Sequence, residues 1–161
     1  GGQVAGVGKA FGMTVAAWST NLTEERCQEA GVAYATKQEM FGNSDFISIH
    51  VHLGTRNQGL VGAAEIAMMK PTAYLINTSR GPIVDEVALT WALEEHLIAG
   101  AALDVFEHEP NVHKALLVLD NVLLTPHIGS GTVETRTAMA DLAALNVIEV
   151  LSGNSPLTPV L

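Results

Sequence analysis

Three residues able to handle protons and anions each follow a short apolar run. Arg80 comes after Ala73–Asn77, Glu109 after Ala101–Val105 and His127 after Asn121–Leu124. A guanidinium grips a carboxylate through two parallel N–H bonds, a geometry lysine lacks. An imidazole titrates near ~6.5 and can give or take a proton at a carbonyl oxygen. A carboxylate behind that imidazole fixes its tautomer and raises its basicity. Together the three side chains suit the reduction of a 2-keto acid by a hydride donor. Each also has an ordinary reading. Arg80 could be a surface residue or a structural ion pair, His127 a hydrogen-bonded loop histidine and Glu109 a solvated loop acid.

The elements that would carry these residues alternate along the chain. Strands are predicted at Met13–Trp18, Val32–Tyr34, Phe46–Val51, Ala73–Asn77, Ala101–Val105 and Asn121–Leu124, most of them apolar on both faces. Helices are predicted at Val4–Phe11, Thr23–Ala30, Lys37–Phe41, Ala63–Met69, Glu86–Glu95 and about Val133–Leu151. Thr23 before Glu24 and Glu25 reads as an N-cap followed by acids that suit the positive helix end. Gly31 closes that helix, and Lys70-Pro71 closes the one after Ala63. Strands alternating with helices indicate an α/β fold, a doubly wound parallel sheet, whose ligands bind beyond the carboxyl ends of the strands. The tail after Gly153, with Pro156 and Pro159, reads as an extended exit segment, leaving residues 1–152 as one domain.

Composition bounds the class of function. With 161 residues, 48% hydrophobic and only 16% charged, the chain suits a single packed core. A net charge of −9, with eight Lys and Arg that never cluster, argues against a nucleic-acid partner. No apolar run is long enough for a membrane span, since Glu65 and Asp120 interrupt the candidates. Cys27 stands alone, so a reducing, cytoplasmic setting is expected, with the thiol buried or free on a helix. No metal site is expected.

Residues Leu75–Glu86, Leu-Ile-Asn-Thr-Ser-Arg-Gly-Pro-Ile-Val-Asp-Glu, resemble the signature of the D-isomer-specific 2-hydroxyacid dehydrogenases. Two further blocks of that family follow in order: Gly100–Phe106 with Glu109-Pro110, then Asp120–Gly129. The segments Ala10–Met13, Leu60–Gly62 and Met69–Pro71 are similar too. The resemblance implies a Rossmann-like NAD(P)-binding domain. Arg80 would bind the substrate carboxylate, His127 would shuttle a proton at C2, and Glu109 would orient His127. It also implies cofactor contacts from Thr78, Ser79, Arg80, Asp104, His127 and Gly129, and from backbone around His50 and Val51. Reduction of glyoxylate or hydroxypyruvate fits, with phosphoglycerate and D-lactate dehydrogenases as neighbours, and the resemblance further implies a homodimer.

The chain departs from the dinucleotide fingerprint of a strand, G-x-G-x-x-G and a helix. Gly1 reads as the third glycine, at the start of a helix, with the N-terminal strand missing. Gly6 and Gly8 fall inside that helix, where each weakens it by about 1 kcal/mol relative to Ala, so close packing is their expected reason. Ser19-Thr20-Asn21 stands where an acid would hold the adenosine ribose, with no arginine for a 2′-phosphate. NAD or NADP would fit, with a lean to NAD. Asn57 occupies a position where the family often has Thr. The family's second, substrate-binding domain is absent from these residues, so the chain alone is expected to be inactive. Two rival readings remain: an NAD(H)-sensing binding protein of corepressor type, and an inactive truncated remnant.

Overall fold

Parallel strands form where the apolar runs lie, but they are shorter. The computed structural model describes residues 1–159. Its six strands are β1 (Ala16–Ala17), β2 (Ala33–Tyr34), β3 (Phe46–Ile49), β4 (Tyr74–Asn77), β5 (Gly100–Leu103) and β6 (Val122–Leu124). β1 and β2 form a parallel pair, and the other four form a parallel sheet in the order β3-β4-β5-β6. Each strand ends where its ladder partner ends, which is why β1 keeps only two residues of the expected Met13–Trp18. The chain divides into two compact units, the first being Gly1–Pro126 and the second starting at His127.

In the first unit, helices α1 (Gly2–Ala10), α2 (Glu24–Ala30), α3 (Lys37–Asn43), α4 (Ala63–Ile66) and α5 (Glu86–Glu94) join the strands. Their starts follow local chemistry. The Thr23 hydroxyl accepts from Arg26 N, Thr36 and Glu39 form a reciprocal capping box, and Asp85 accepts from Ala88 N at 2.9 Å. Gly31 ends α2 with φ 65°, a left-handed turn that glycine adopts without cost. Buried Cys27 is a free thiol on α2. α4 stops at Ile66 rather than Met69, because Met68 and Met69 donate three residues back, in tighter turns, before Pro71. Gly81–Ile83 and Lys114–Val118 form 3-10 turns that periodicity did not reveal.

The core lies on one side of the four-stranded sheet. Ile47, Ile49, Leu75 and Leu103 pack with Ile66, Leu89 and Leu93 from α4 and α5. Complete burial of a side chain such as Leu75 or Leu89 contributes about 1.5–3 kcal/mol. The opposite face is covered less: Ile76 and Ala102 are half-buried, while Tyr74 and Leu123 are exposed. Phe46 is 57% exposed and stacks on Tyr74 with ring centroids 5.6 Å apart. Apolar content alone could not tell which face a helix covers, and α1 buries no residue. Gly8 meets Val15 Cγ2 at 3.2 Å from an ideal Cβ, so packing accounts for it. A Cβ on Gly6 would stand in open space, so packing does not account for Gly6.

The second unit begins with His127, whose φ of 53° places a non-glycine residue in the left-handed region. Gly131 N then donates to Ile128 O at 2.8 Å, and Thr132 caps α6 (Val133–Leu151) through Thr135 N. The tail after Gly153 is not simply extended, in contrast to the exit segment that Pro156 and Pro159 suggest. Past Gly153 it returns to α6, where Asn146 bonds both the hydroxyl and the amide of Thr158. Val160 and Leu161 of the expected exit segment lie outside the described residues.

Candidate active site

Ile49 and Asn77 are register partners at the carboxyl ends of β3 and β4, so the loops that follow emerge side by side. That edge is where open parallel sheets receive ligands. His50, Val51, His52 and Leu53 from one loop, Thr78, Ser79 and Arg80 from the other, and Gly1 line a cleft of about 430 Å³. Gly1 is also the N-cap of α1, and an ideal Cβ on it would sit 3.5 Å from His50 Cβ. The cleft therefore gathers Gly1, His50, Val51, Thr78, Ser79 and Arg80, all expected on the cofactor.

Asn77 builds one wall. Its side chain is buried at the strand end, donates to Arg80 O at 3.0 Å and accepts from Ser79 N at 3.1 Å. Its carbonyl accepts from Asp104 N at 3.0 Å, which ties β5 to the same turn. Ser79 Oγ donates to Val51 O at 2.5 Å and joins the two loops. The Arg80 guanidinium stays exposed, with Nη1 donating to Ser79 O at 2.6 Å. A rigid turn thus carries an exposed cation.

His50 bonds Ser48 Oγ at 2.9 Å through Nε2. Burial pushes its pKa below the ordinary histidine range. A histidine depressed in this way stabilises the fold fully above the unfolded value of about 6.5, and that contribution is lost as pH falls toward the folded value. An NMR titration of the His50 ring is expected to show a midpoint below ~6.5. A midpoint at or above that value would contradict the burial assigned to it.

Asp104 follows β5, is buried and accepts from Thr125 Oγ1 at 2.6 Å. Glu109 lies in the exposed loop beyond it, and its Oε1 accepts from Phe106 N at 3.0 Å. This loop abuts the Arg80 turn directly. An ideal Cβ on Gly81 would lie 1.9 Å from the Phe106 carbonyl carbon and 2.4 Å from Glu107 N. Ser19 is half-buried in the turn after β1, where its carbonyl accepts from Leu22 N. Asn57 does not line the cleft, but its amide donates to His52 O at 2.8 Å and shapes that loop. His127 and Gly129 are exposed in the second unit.

Sequence reading missed Asn77, Gly81 and Glu86 as builders of these loops. A buried amide ending an apolar strand was the available hint for Asn77. Nothing in the one-dimensional pattern signalled that Gly81 meets a backbone twenty-five residues onward. No group of three His, Cys, Asp or Glu residues able to hold a metal occurs among the described residues. Nor is any helix among them long and apolar enough to cross a membrane.

The family description "D-isomer specific 2-hydroxyacid dehydrogenase, NAD binding domain" matches residues 1–129. The chain belongs to this family. It is 47% identical over 148 residues to a glyoxylate reductase of Thermococcus litoralis, covering 92% of this chain and 45% of that protein. Among solved structures, the NADPH-dependent glyoxylate/hydroxypyruvate reductase of Sinorhizobium meliloti, bound to NADP and malonate, superposes with a TM-score of 0.83 and 38% identity, over 98% of this chain and 48% of the other. D-lactate dehydrogenase of Lactobacillus jensenii, bound to NAD+, gives a TM-score of 0.83 and 30% identity, over 100% and 52%. The α/β fold is thus the Rossmann-like fold expected from the sequence, and the chain spans about half the length of the curated relatives it matches.

Proposed function

We propose that the full-length protein reduces a small 2-keto acid to its D-2-hydroxy acid with NADH or NADPH. The observation that carries this reading is the cleft at the ends of β3 and β4, where the Thr78–Arg80 turn is braced by Asn77 and presents a guanidinium. Its volume lies within the roughly 300–1,000 Å³ of small-molecule sites. Its donors, the Thr78 hydroxyl and the Arg80 guanidinium with loop backbone, suit the phosphates and riboses of a dinucleotide. Residues 1–152 act in this reading as the nucleotide-binding domain, with contacts from Gly1, Ser19, His50, Val51, Asn57, Thr78, Ser79, Arg80, Asp104, His127 and Gly129.

The bound nicotinamide supplies a hydride. Arg80 holds the substrate carboxylate and draws electron density from the adjacent carbonyl. His127 delivers the proton to the C2 oxygen, and Glu109 keeps the ring in the required tautomer. The substrate is glyoxylate or hydroxypyruvate, in line with the names of the relatives. Ser19-Thr20-Asn21 offers neither an acid against NADP nor an arginine for it, and the lean is to NAD. A homodimer and a cytoplasmic location belong to the same proposal. Exposed Met139, Leu142, Leu145 and Ile148 on α6 support burial of that helix against further polypeptide.

Oxidation of NADH and NADPH on addition of a series of 2-keto acids tests the reading. The expected result is turnover that depends on both cofactor and keto acid. Cofactor binding without turnover of any keto acid would instead favour the sensor, and absence of both would leave only the inactive remnant.

A further inference from the structure

Glu86 is the first residue of α5 and only 8% exposed. A buried carboxylate is costly unless donors surround it. Here they are backbone amides of one distant loop: Oε2 accepts from Glu107 N at 2.9 Å and Oε1 from His113 N at 3.3 Å. The two amides flank Glu109. Between them the loop closes on itself through the His108–Asn111 bridge, and its near stem lies against Gly81. Glu86 opens α5 while Asp85 takes the capping role, leaving Glu86 to face the loop. We infer that Glu86 is a positioning residue: one carboxylate clasps both stems of the loop that presents Glu109 and fixes where that side chain acts. Its catalytic consequence rests on the proposed keto-acid reduction.

The clasp needs two acceptor oxygens. Glutamine offers one, and its NH2 group would face an N–H donor. The test compares wild type, Glu86→Gln and Glu109→Gln in the full-length protein. In Glu86→Gln, amide exchange at Glu107 and His113 is expected to accelerate while exchange in β4 and β5 stays unchanged. Its kcat is expected to fall about 10- to 100-fold, as for a reacting group displaced by ~1 Å, with KM for the dinucleotide unchanged. The pH limb of kcat assigned to the proton donor is expected to move down, in the same direction as in Glu109→Gln. A residue that only supports the fold would not move that limb. Unchanged exchange at both amides overturns the clasp whatever the activity. Faster exchange with wild-type kcat and pH limb overturns the positioning role. If the wild type reduces no keto acid, the functional reading fails on its own, and the exchange measurement alone decides whether Glu86 holds the loop.

Discussion

Gly81→Ala is expected to displace the Arg80 and Glu109 loops together, although it adds a single methyl group. The added Cβ would sit 1.9 Å from both the carbon and the oxygen of the Phe106 carbonyl and 2.4 Å from Glu107 N. All three are backbone atoms, so no side chain can rotate away and one loop must move by more than an ångström. The constraint is space rather than backbone angle. Overpacking of this kind costs about 1–3 kcal/mol and occasionally more, and a 150- to 250-residue fold loses roughly 2–4 °C of Tm per kcal/mol. The larger effect is on activity, since a misplacement of ~1 Å can lower the rate about 100-fold. Thermal unfolding and steady-state kinetics of the variant check both parts. Wild-type kcat/KM would show that the two loops need not touch as described.

Arg80→Ala is expected to abolish most turnover and leave stability nearly unchanged. The side chain is exposed, and substitutions at such positions usually stay within about 0.5 kcal/mol in stability. In the proposed site it makes two charge-assisted bonds to the substrate carboxylate, each contributing roughly 1.5–3 kcal/mol. Their joint loss corresponds to about 10²–10⁴ in kcat/KM. Arg80→Lys keeps the charge but loses the planar fork, so it is expected to recover only part of the activity. Kinetics against keto-acid concentration, with unfolding measured alongside, separate these outcomes. A lysine variant equal to wild type would show that a point charge suffices and would remove the two-pronged contact from the account.

How far the sequence revealed this arrangement differs from residue to residue. The turn carrying Thr78, Ser79 and Arg80 could be found because it ends an apolar strand and because its residue order matches a family signature. α6 was found with its bounds because a nineteen-residue helix with a threonine cap leaves little room for misreading. β3 and β4 were placed well, but the exposure of Phe46 and Tyr74 was not foreseen, because both look as buried in sequence as Ile47 and Leu75. Glu86 read as an acid at the start of a helix. Its role at Glu107 and His113 depends on contacts twenty-one and twenty-seven residues away, which no local pattern encodes. Gly81 is similar: a glycine before a proline suggests a turn, whereas its reason is the backbone pressed against it.

The most direct measurement follows the reduction with a reduced cofactor carrying deuterium at both C4 positions of the nicotinamide ring. If the cleft beside Thr78–Arg80 seats that ring against a keto acid held by Arg80, each molecule of hydroxy acid formed will carry one deuterium at C2, none of it exchanged with solvent. No hydroxy acid, or hydroxy acid free of deuterium at C2, would contradict direct hydride transfer in this site.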